Sequence, residues 1–145
     1  MRHWKSISWL PVALFLVSSV LIAQGRGEKG KEGDSIVIII DADMKYIKEG
    51  DKESKPVTVM VGQTVTWINK HSKVHDATSA KTKDGKDDGE PIFETDPIKP
   101  GKSASYKFDQ KVFEAFGGKK GGEVTIDYIC SIHPDMKGKL ILKSK

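Results

Sequence analysis

The chain has 145 residues, of which 30% are charged and 37% are hydrophobic, and its formal net charge is +4. This length is sufficient for one domain and too short for a second large hydrophobic core. Cys130 is the single cysteine, which excludes an intramolecular disulfide and a four-cysteine zinc site. Composition therefore predicts one globular domain that is not held together by disulfides.

The N-terminal stretch has the features of a secretory signal. A basic start is followed by an apolar run over residues 9–23. Small residues end this run, which predicts a signal peptide over residues 1–25 with cleavage before Arg26, although a cut after Ala23 also fits. The alternative is an uncleaved membrane anchor, but the run is shorter than the ~20 residues that a spanning helix needs. We expect export to the periplasm or an equivalent extracytoplasmic compartment, with no stable membrane span after cleavage.

The chain after residue 25 is almost balanced in charge. It contains 22 basic and 20 acidic side chains, and Arg26 is its only arginine. Nucleic-acid-binding surfaces depend on clustered arginines, so we expect no nucleic-acid partner. Residues 26–34 are rich in glycine and charge and have no apolar period, which predicts a flexible leader before a domain over residues 35–145.

From residue 35 onward the chain has the pattern of short strands. Residues 36–40 are consecutive β-branched side chains, typical of a buried strand. Residues 56–61 and 64–69 alternate apolar and polar side chains and are joined through Gly62, which predicts a β-hairpin. This spacing of short strands predicts an all-β protein, either an antiparallel sandwich or a barrel. Further strand patterns occupy residues 103–108, 123–129 and 139–142, with one short helical turn over 110–116 and solvated loops at 81–90 and 114–122.

The residues best suited to carry chemistry lie between the last two predicted strands. Cys130, His133 and Met136 recur at every third position, and Pro134 favours a loop over a helix. A loop can fold these three side chains around one centre. A thiolate, an imidazole and a thioether form a soft ligand set that suits copper, and the trigonal copper site of electron-transfer proteins contains one more histidine.

Three histidines could supply the missing ligand. His3 belongs to the predicted signal peptide. His75 follows the strand over 64–69, where extended alternation can turn its side chain inward. His71 lies among lysines and a serine and is expected to face solvent. We therefore expect His75 to be the ligand, with His71 as the alternative.

Several segments resemble, in matching order, the type 1 blue-copper cupredoxins. These are Gly62–Asn69 (GQTVTWIN), His75, Pro100–Ser103 (PGKS) and Cys130–Met136 (CSIHPDM). The last loop is similar to the amicyanin type, because Met136 follows His133 at the third position. The resemblance covers about residues 35–143 and implies a Greek-key β-sandwich that binds one type 1 copper ion, cycling between Cu(I) and Cu(II). By position it implies that His75, Cys130 and His133 are equatorial ligands and that Met136 is the axial ligand.

The same resemblance implies outer-sphere electron transfer and no enzymatic activity. We expect a monomer whose redox partners dock transiently on an apolar patch formed by Ile132 and Pro134 around His133. The sequence departs from the family at Ile132, where proline is frequent, and at Asp76, where Asn, Thr or Val is common. Trp67, Met44 and Met60 are expected to pack in the core.

Other copper functions would leave different sequence signatures. A multicopper oxidase flanks its copper-binding cysteine with histidines, whereas Ile129 and Ser131 occupy those positions here. A binuclear copper centre needs two cysteines. The alternative that remains is a copper protein for storage, delivery or small-molecule binding with an altered coordination sphere. A metal-free sandwich would leave Cys130 unexplained.

Overall fold

A computed structural model describes residues 35–83 and 89–145 and shows two four-stranded β-sheets with one short helix. The predicted signal peptide (1–25), the predicted leader (26–34) and part of the 81–90 loop lie outside the described residues. The elements are β1 (Ser35–Ile40), β2 (Tyr46–Lys48), β3 (Val57–Met60), β4 (Thr64–Asn69), β5 (Thr78–Ser79), β6 (Ser103–Lys107), α1 (Gln110–Ala115), β7 (Glu123–Ile129) and β8 (Lys137–Lys143).

The two sheets have the strand orders β2-β1-β4-β6 and β3-β8-β7-β5. The β1–β4 and β3–β8 pairs are parallel, and the remaining pairs are antiparallel. The predicted all-β sandwich is therefore confirmed, although its sheets are mixed and not wholly antiparallel. The short strands β2 and β5 carry no clear sequence pattern because two or three residues are too few to show a period.

The hairpin predicted for β3 and β4 is wrong. β3 pairs with β8 and β4 pairs with β1 and β6, so the two strands lie in different sheets. Gly62 has a φ of +98°, a value that favours glycine, and at this turn the chain crosses from one sheet to the other. Val59 and Trp67 are both fully buried. Alternation identifies the buried face of a strand and does not identify its hydrogen-bonding partner.

An aromatic cluster fills the space between the sheets. The rings of Trp67 and Phe93 stack with centroids 6.2 Å apart, and Tyr128 meets Trp67 edge-on at 5.9 Å. The Trp67 indole N–H donates to the Tyr128 hydroxyl over 3.4 Å, which satisfies its buried polar atom. The placement of Trp67 in the core is thereby confirmed. The predicted helical turn is also present as α1, and the Asp109 side chain caps it by accepting from the Val112 amide.

The pairing of β5 with β7 brings two distant chain segments to the same end of the sandwich. Thr78 lies opposite Ile129 in this antiparallel pair. Because antiparallel neighbours run in opposite directions, the residues just before Thr78 lie beside those just after Ile129. His75 and Cys130 therefore meet beyond the end of β7. Across the described part of the chain, no helix has the length and apolar character needed to cross a membrane.

Candidate metal centre

The segment Cys130–Met136 is closed by its own backbone. The His133 amide donates to the Cys130 carbonyl over 3.1 Å, and the Met136 amide donates to the His133 carbonyl over 2.9 Å. The Cys130 amide in turn donates to the Met136 carbonyl over 3.0 Å. These three bonds close the loop and bring the backbones of Cys130, His133 and Met136 together.

His75 is held by contacts with residues far away in sequence. It exchanges two backbone hydrogen bonds with Ile98, at 3.2 and 2.6 Å. Asn69, which is fully buried, donates from its amide to the carbonyls of Ile98 (2.8 Å) and Lys73 (2.7 Å). The His75 side chain is itself fully buried. The position of this histidine is therefore set by tertiary packing.

The three side chains His75, Cys130 and His133 converge on one point. The Nδ1 atoms of both histidines lie 3.6 Å from the Cys130 sulfur, and one potential ligand atom from each residue lies within 4.8 Å of the others. Burial, followed by the nearby His133 and His71, lowers the pKa of His75 and favours the neutral ring. Two imidazole nitrogens around one buried thiol form a donor set that fits copper.

Met136 belongs to the same loop and is buried, with 4% of its surface exposed. Its backbone is hydrogen-bonded to both Cys130 and His133. Of the four residues predicted for the site, three thus bring their potential ligand atoms together, and the fourth, Met136, is buried in the same loop. Within residues 35–83 and 89–145, this cluster is the one group of three or more His, Cys, Asp or Glu side chains arranged to hold a metal.

Asp76 connects the two segments that form the site. Its buried carboxylate accepts from the Ser131 amide over 2.7 Å and from the Ser131 hydroxyl, and Thr78 donates to it over 3.3 Å. The buried Tyr46 hydroxyl donates to the Asp76 backbone carbonyl. Burial, reinforced by Cys130, raises the pKa of Tyr46. The sequence marked Asp76 as a family departure next to the first histidine, and it contained no signal for Tyr46.

His71 does not face solvent freely, contrary to the expectation from its lysine-rich surroundings. It is partly buried, and its Nδ1 lies 2.9 Å from the Nε2 of His75. Its ring therefore contacts the far side of the His75 ring, and His71 is not a member of the three-residue cluster. The sequence presented the two histidines as alternative ligands, whereas in the structure His75 faces the Cys130 sulfur and His71 contacts the other nitrogen of the His75 ring.

The surface beside the half-buried His133 combines exposed apolar side chains with three charged ones, which are Asp43, Lys45 and Asp135. Met44 and Ile132 are the large hydrophobic side chains left exposed among the described residues, at 37% and 49%. Together with Pro134 they line a cavity of about 490 Å³ beside His133. The prediction that Met44 packs in the core is therefore wrong. Its left-handed backbone (φ 57°) lies in the β1–β2 connection, at the surface.

Comparisons with known proteins agree with this geometry. The family model described as copper binding proteins, plastocyanin/azurin family, matches residues 38–143. The structure of a Met-to-Gln amicyanin variant with Cu(I) is 27% identical and superposes with a TM-score of 0.53, covering 77% of this chain and 84% of that chain. An oxidized Pro-to-Ala amicyanin variant is 28% identical, with a TM-score of 0.52 over 77% and 84% of the two chains. No curated protein sequence matches significantly.

The family match and the donor set agree on the cofactor. The matched region contains both the His75 segment and the Cys130–Met136 loop, and these residues form a blue-copper-like site for one copper ion. The resemblance seen in the sequence is thereby confirmed. The chain belongs to the plastocyanin/azurin family of copper-binding proteins and is a type 1 cupredoxin.

Proposed function

We propose that this protein is an exported carrier of single electrons, with His75, Cys130 and His133 as equatorial ligands of one type 1 copper ion and Met136 as its axial ligand. The observation that carries the proposal is the position of both imidazole Nδ1 atoms, 3.6 Å from the buried Cys130 sulfur. Membership of a copper electron-transfer family supports the same assignment.

Copper would supply a one-electron couple, Cu(I)/Cu(II), when bound. The chain's own residues would contribute a rigid frame around it. Cys130 is fully buried and is fixed through its amide, while Asp76 binds the next residue, Ser131, through both its backbone and its side chain. A frame held by these hydrogen bonds limits how far the ligands can move between oxidation states, and this favours fast electron transfer.

The surface around His133 supports the proposed route of electrons and kind of partner. His133 is only half-buried, and the exposed side chains of Met44 and Ile132 lie beside it. We propose that a redox protein docks here briefly, through a small apolar contact, while the cupredoxin itself is a monomer. The residues next to Cys130 in the chain are Ile129 and Ser131, so no histidine there could lead to a second copper centre. We therefore propose a carrier and not an enzyme.

Export is proposed from residues 1–25, whose basic start and apolar run are typical of a cleaved signal. Nothing in the charge pattern favours a nucleic-acid partner. A cysteine-bound copper carrier in an oxidising compartment would also account for a free thiol, because the metal would occupy Cys130.

The test is to add Cu(II) to the chain from Arg26 onward and record visible and EPR spectra. We expect an intense thiolate-to-copper absorption band and narrow copper hyperfine splitting. Cys130→Ala should lose the band entirely, whereas the matched control Ser131→Ala should keep it, since only the neighbouring hydroxyl is removed. Wide splitting together with easily lost copper would favour copper storage or delivery. A band that persists in Cys130→Ala would contradict the proposal.

A further inference from the structure

We propose that His71 is a positioning residue of the copper centre. It accepts a hydrogen bond from the Nε2–H of His75 and so keeps the Nδ1 lone pair of His75 directed at the Cys130 side. The inference rests on the proposed role of His75 as a ligand, and it adds a second histidine with a different task.

The hydrogen-bond pattern determines which ring nitrogens carry protons. A neutral imidazole has one donor nitrogen and one acceptor nitrogen. The backbone amide of Lys73 points at the Nδ1 of His71 over 3.3 Å. Because an amide N–H can only donate, this Nδ1 must be an acceptor without a proton.

The same Nδ1 of His71 lies 2.9 Å from the Nε2 of His75. Two acceptors do not form a hydrogen bond, so the Nε2 of His75 carries the proton. The Nδ1 of His75, 3.6 Å from the Cys130 sulfur, is then unprotonated and available as a ligand. The single lone pair of the His71 Nδ1 is then shared between the shorter contact from His75 and the longer one from the Lys73 amide.

His75 needs such a partner because it is fully buried. A buried N–H without an acceptor costs about 1–3 kcal/mol. Among the described residues, His71 is the acceptor that lies within reach of this nitrogen. Metal-bound histidines commonly donate their second N–H to a fixed acceptor, and removing that acceptor typically weakens metal binding by about 10–100-fold.

The acceptor is itself held in place by a buried side chain. The Oδ1 of Asn69 accepts from the His71 amide over 2.9 Å, and its Nδ2 donates to the Lys73 carbonyl over 2.7 Å. Asn69 thus positions both His71 and the residue whose amide sets the His71 tautomer.

Substitutions at His71 can distinguish the loss of the hydrogen-bond acceptor from the loss of side-chain packing. His71→Asn places a side-chain oxygen near the position of the imidazole Nδ1. This oxygen can accept hydrogen bonds from the Nε2–H of His75 and from the Lys73 amide. His71→Leu has a similar size and no acceptor, and His71→Ala serves as a second acceptor-free variant if the leucine variant does not fold. Dispersed amide NMR signals would verify folding in each case.

The first readout uses the copper-free protein. Nitrogen-15 NMR of the imidazole rings reports the tautomer of His75 directly. We expect the Nε2–H form in the unsubstituted chain and in His71→Asn, and a substantial Nδ1–H population in His71→Leu and His71→Ala. This measurement does not require copper binding.

The second readout uses added copper. Competition with a chelator should show copper bound about 10–100-fold more weakly in His71→Leu than in the unsubstituted chain, with most of the loss restored in His71→Asn. The reduction potential should rise in His71→Leu, because a ligand that donates to an acceptor is more basic and favours Cu(II).

The two proposals fail in different ways. If the thiolate-to-copper band is present but His71→Leu keeps the tautomer, copper affinity and potential of the unsubstituted chain, the role of His71 is overturned and the electron-carrier proposal stands. If the unsubstituted chain has no such band, the proposed copper ligation is overturned, and His71 loses its role toward the metal.

Discussion

The two segments that form the metal centre are built in opposite ways. The loop from Cys130 to Met136 is organised by three backbone hydrogen bonds between residues no more than six positions apart. The segment from Asn69 to Asp76 is organised by bonds that reach Ile98, Ser131 and Tyr46. The first segment leaves His133 partly exposed, whereas the second buries His75 completely.

This difference indicates which half of the site is adaptable. A loop closed by local bonds can keep its shape when one side chain is changed. A buried histidine held by distant contacts shares its environment with the core, so its loss also affects the fold. We therefore expect the two histidines, which have equal roles as proposed ligands, to respond differently to substitution.

The largest expected effect is the contrast between His75→Gly and His133→Gly. In the copper-free protein, His75→Gly should lower the free energy of unfolding by about 2–4 kcal/mol, because it leaves a buried cavity. His133→Gly should cost about 1 kcal/mol or less, since the side chain is half-exposed. Urea unfolding would measure both, and glycine in both variants equalises the backbone entropy cost.

The same pair can be tested with added imidazole and Cu(II). The opening left at half-exposed His133 can admit imidazole from solvent and restore the thiolate-to-copper band. We expect restoration in His75→Gly to be much slower or absent, because that position is enclosed. Equal rates of restoration in the two variants would contradict the contrast between an open and an enclosed ligand.

The connection between the two segments can be broken at Asp76. Asp76→Ala leaves the Ser131 amide and hydroxyl without their acceptor and should lower the free energy of unfolding of the copper-free protein by about 1–3 kcal/mol. Asp76→Asn keeps a side-chain oxygen for the Ser131 amide and should lose less. Urea unfolding would measure this, and copper should also dissociate faster from Asp76→Ala.

Thr78→Val is the matched control for Asp76. It removes only the 3.3 Å hydroxyl contact with the same carboxylate and leaves both Ser131 bonds in place. If Thr78→Val is as destabilising as Asp76→Ala, the connection to Ser131 is not the important contact.

The exposed side of the site can be tested without a natural partner. Electron self-exchange between Cu(I) and Cu(II) copies requires two proteins to meet, and we expect them to meet at the His133 surface. Ile132→Lys should slow self-exchange by about tenfold or more, because it removes an exposed apolar contact and adds a charge that must lose its hydration in the encounter. NMR line broadening in mixed-oxidation samples measures the rate.

Ile132→Ala is the milder comparison, since it reduces apolar contact without adding charge. The visible spectrum and the free energy of unfolding should be unchanged in both variants, because Ile132 is exposed. An unchanged self-exchange rate in Ile132→Lys would place the docking surface elsewhere.

The smallest expected effect is at the Ser131 hydroxyl. Ser131→Ala removes one of the two Ser131 bonds to Asp76 and keeps the amide bond of 2.7 Å. The free energy of unfolding should fall by about 0.5–1.5 kcal/mol, less than in Asp76→Ala. A loss equal to that of Asp76→Ala would indicate that the amide bond contributes little.

Much of the fold could be predicted from residue patterns, and the exceptions share a cause. The strand patterns over 64–69, 103–108 and 123–129 correspond to β4, β6 and β7. The wrong hairpin between β3 and β4 arose because period-2 alternation reports a buried face and contains no information about sheet membership. Met44 was misplaced because hydrophobicity alone does not show that a residue lies in a surface turn.

The sequence by itself determined the chemistry of the C-terminal loop, because Cys130, His133 and Met136 are close in the chain and local hydrogen bonds are enough to gather them. The sequence favoured His75 over His71 as the remaining ligand, but only the tertiary structure shows how the two histidines are arranged. That arrangement depends on β5 pairing with β7 and on the backbone bonds to Ile98. Such contacts join residues that are distant in sequence. No local pattern could therefore predict that His75 contacts the Cys130 thiol while His71 hydrogen-bonds to the opposite side of the His75 ring.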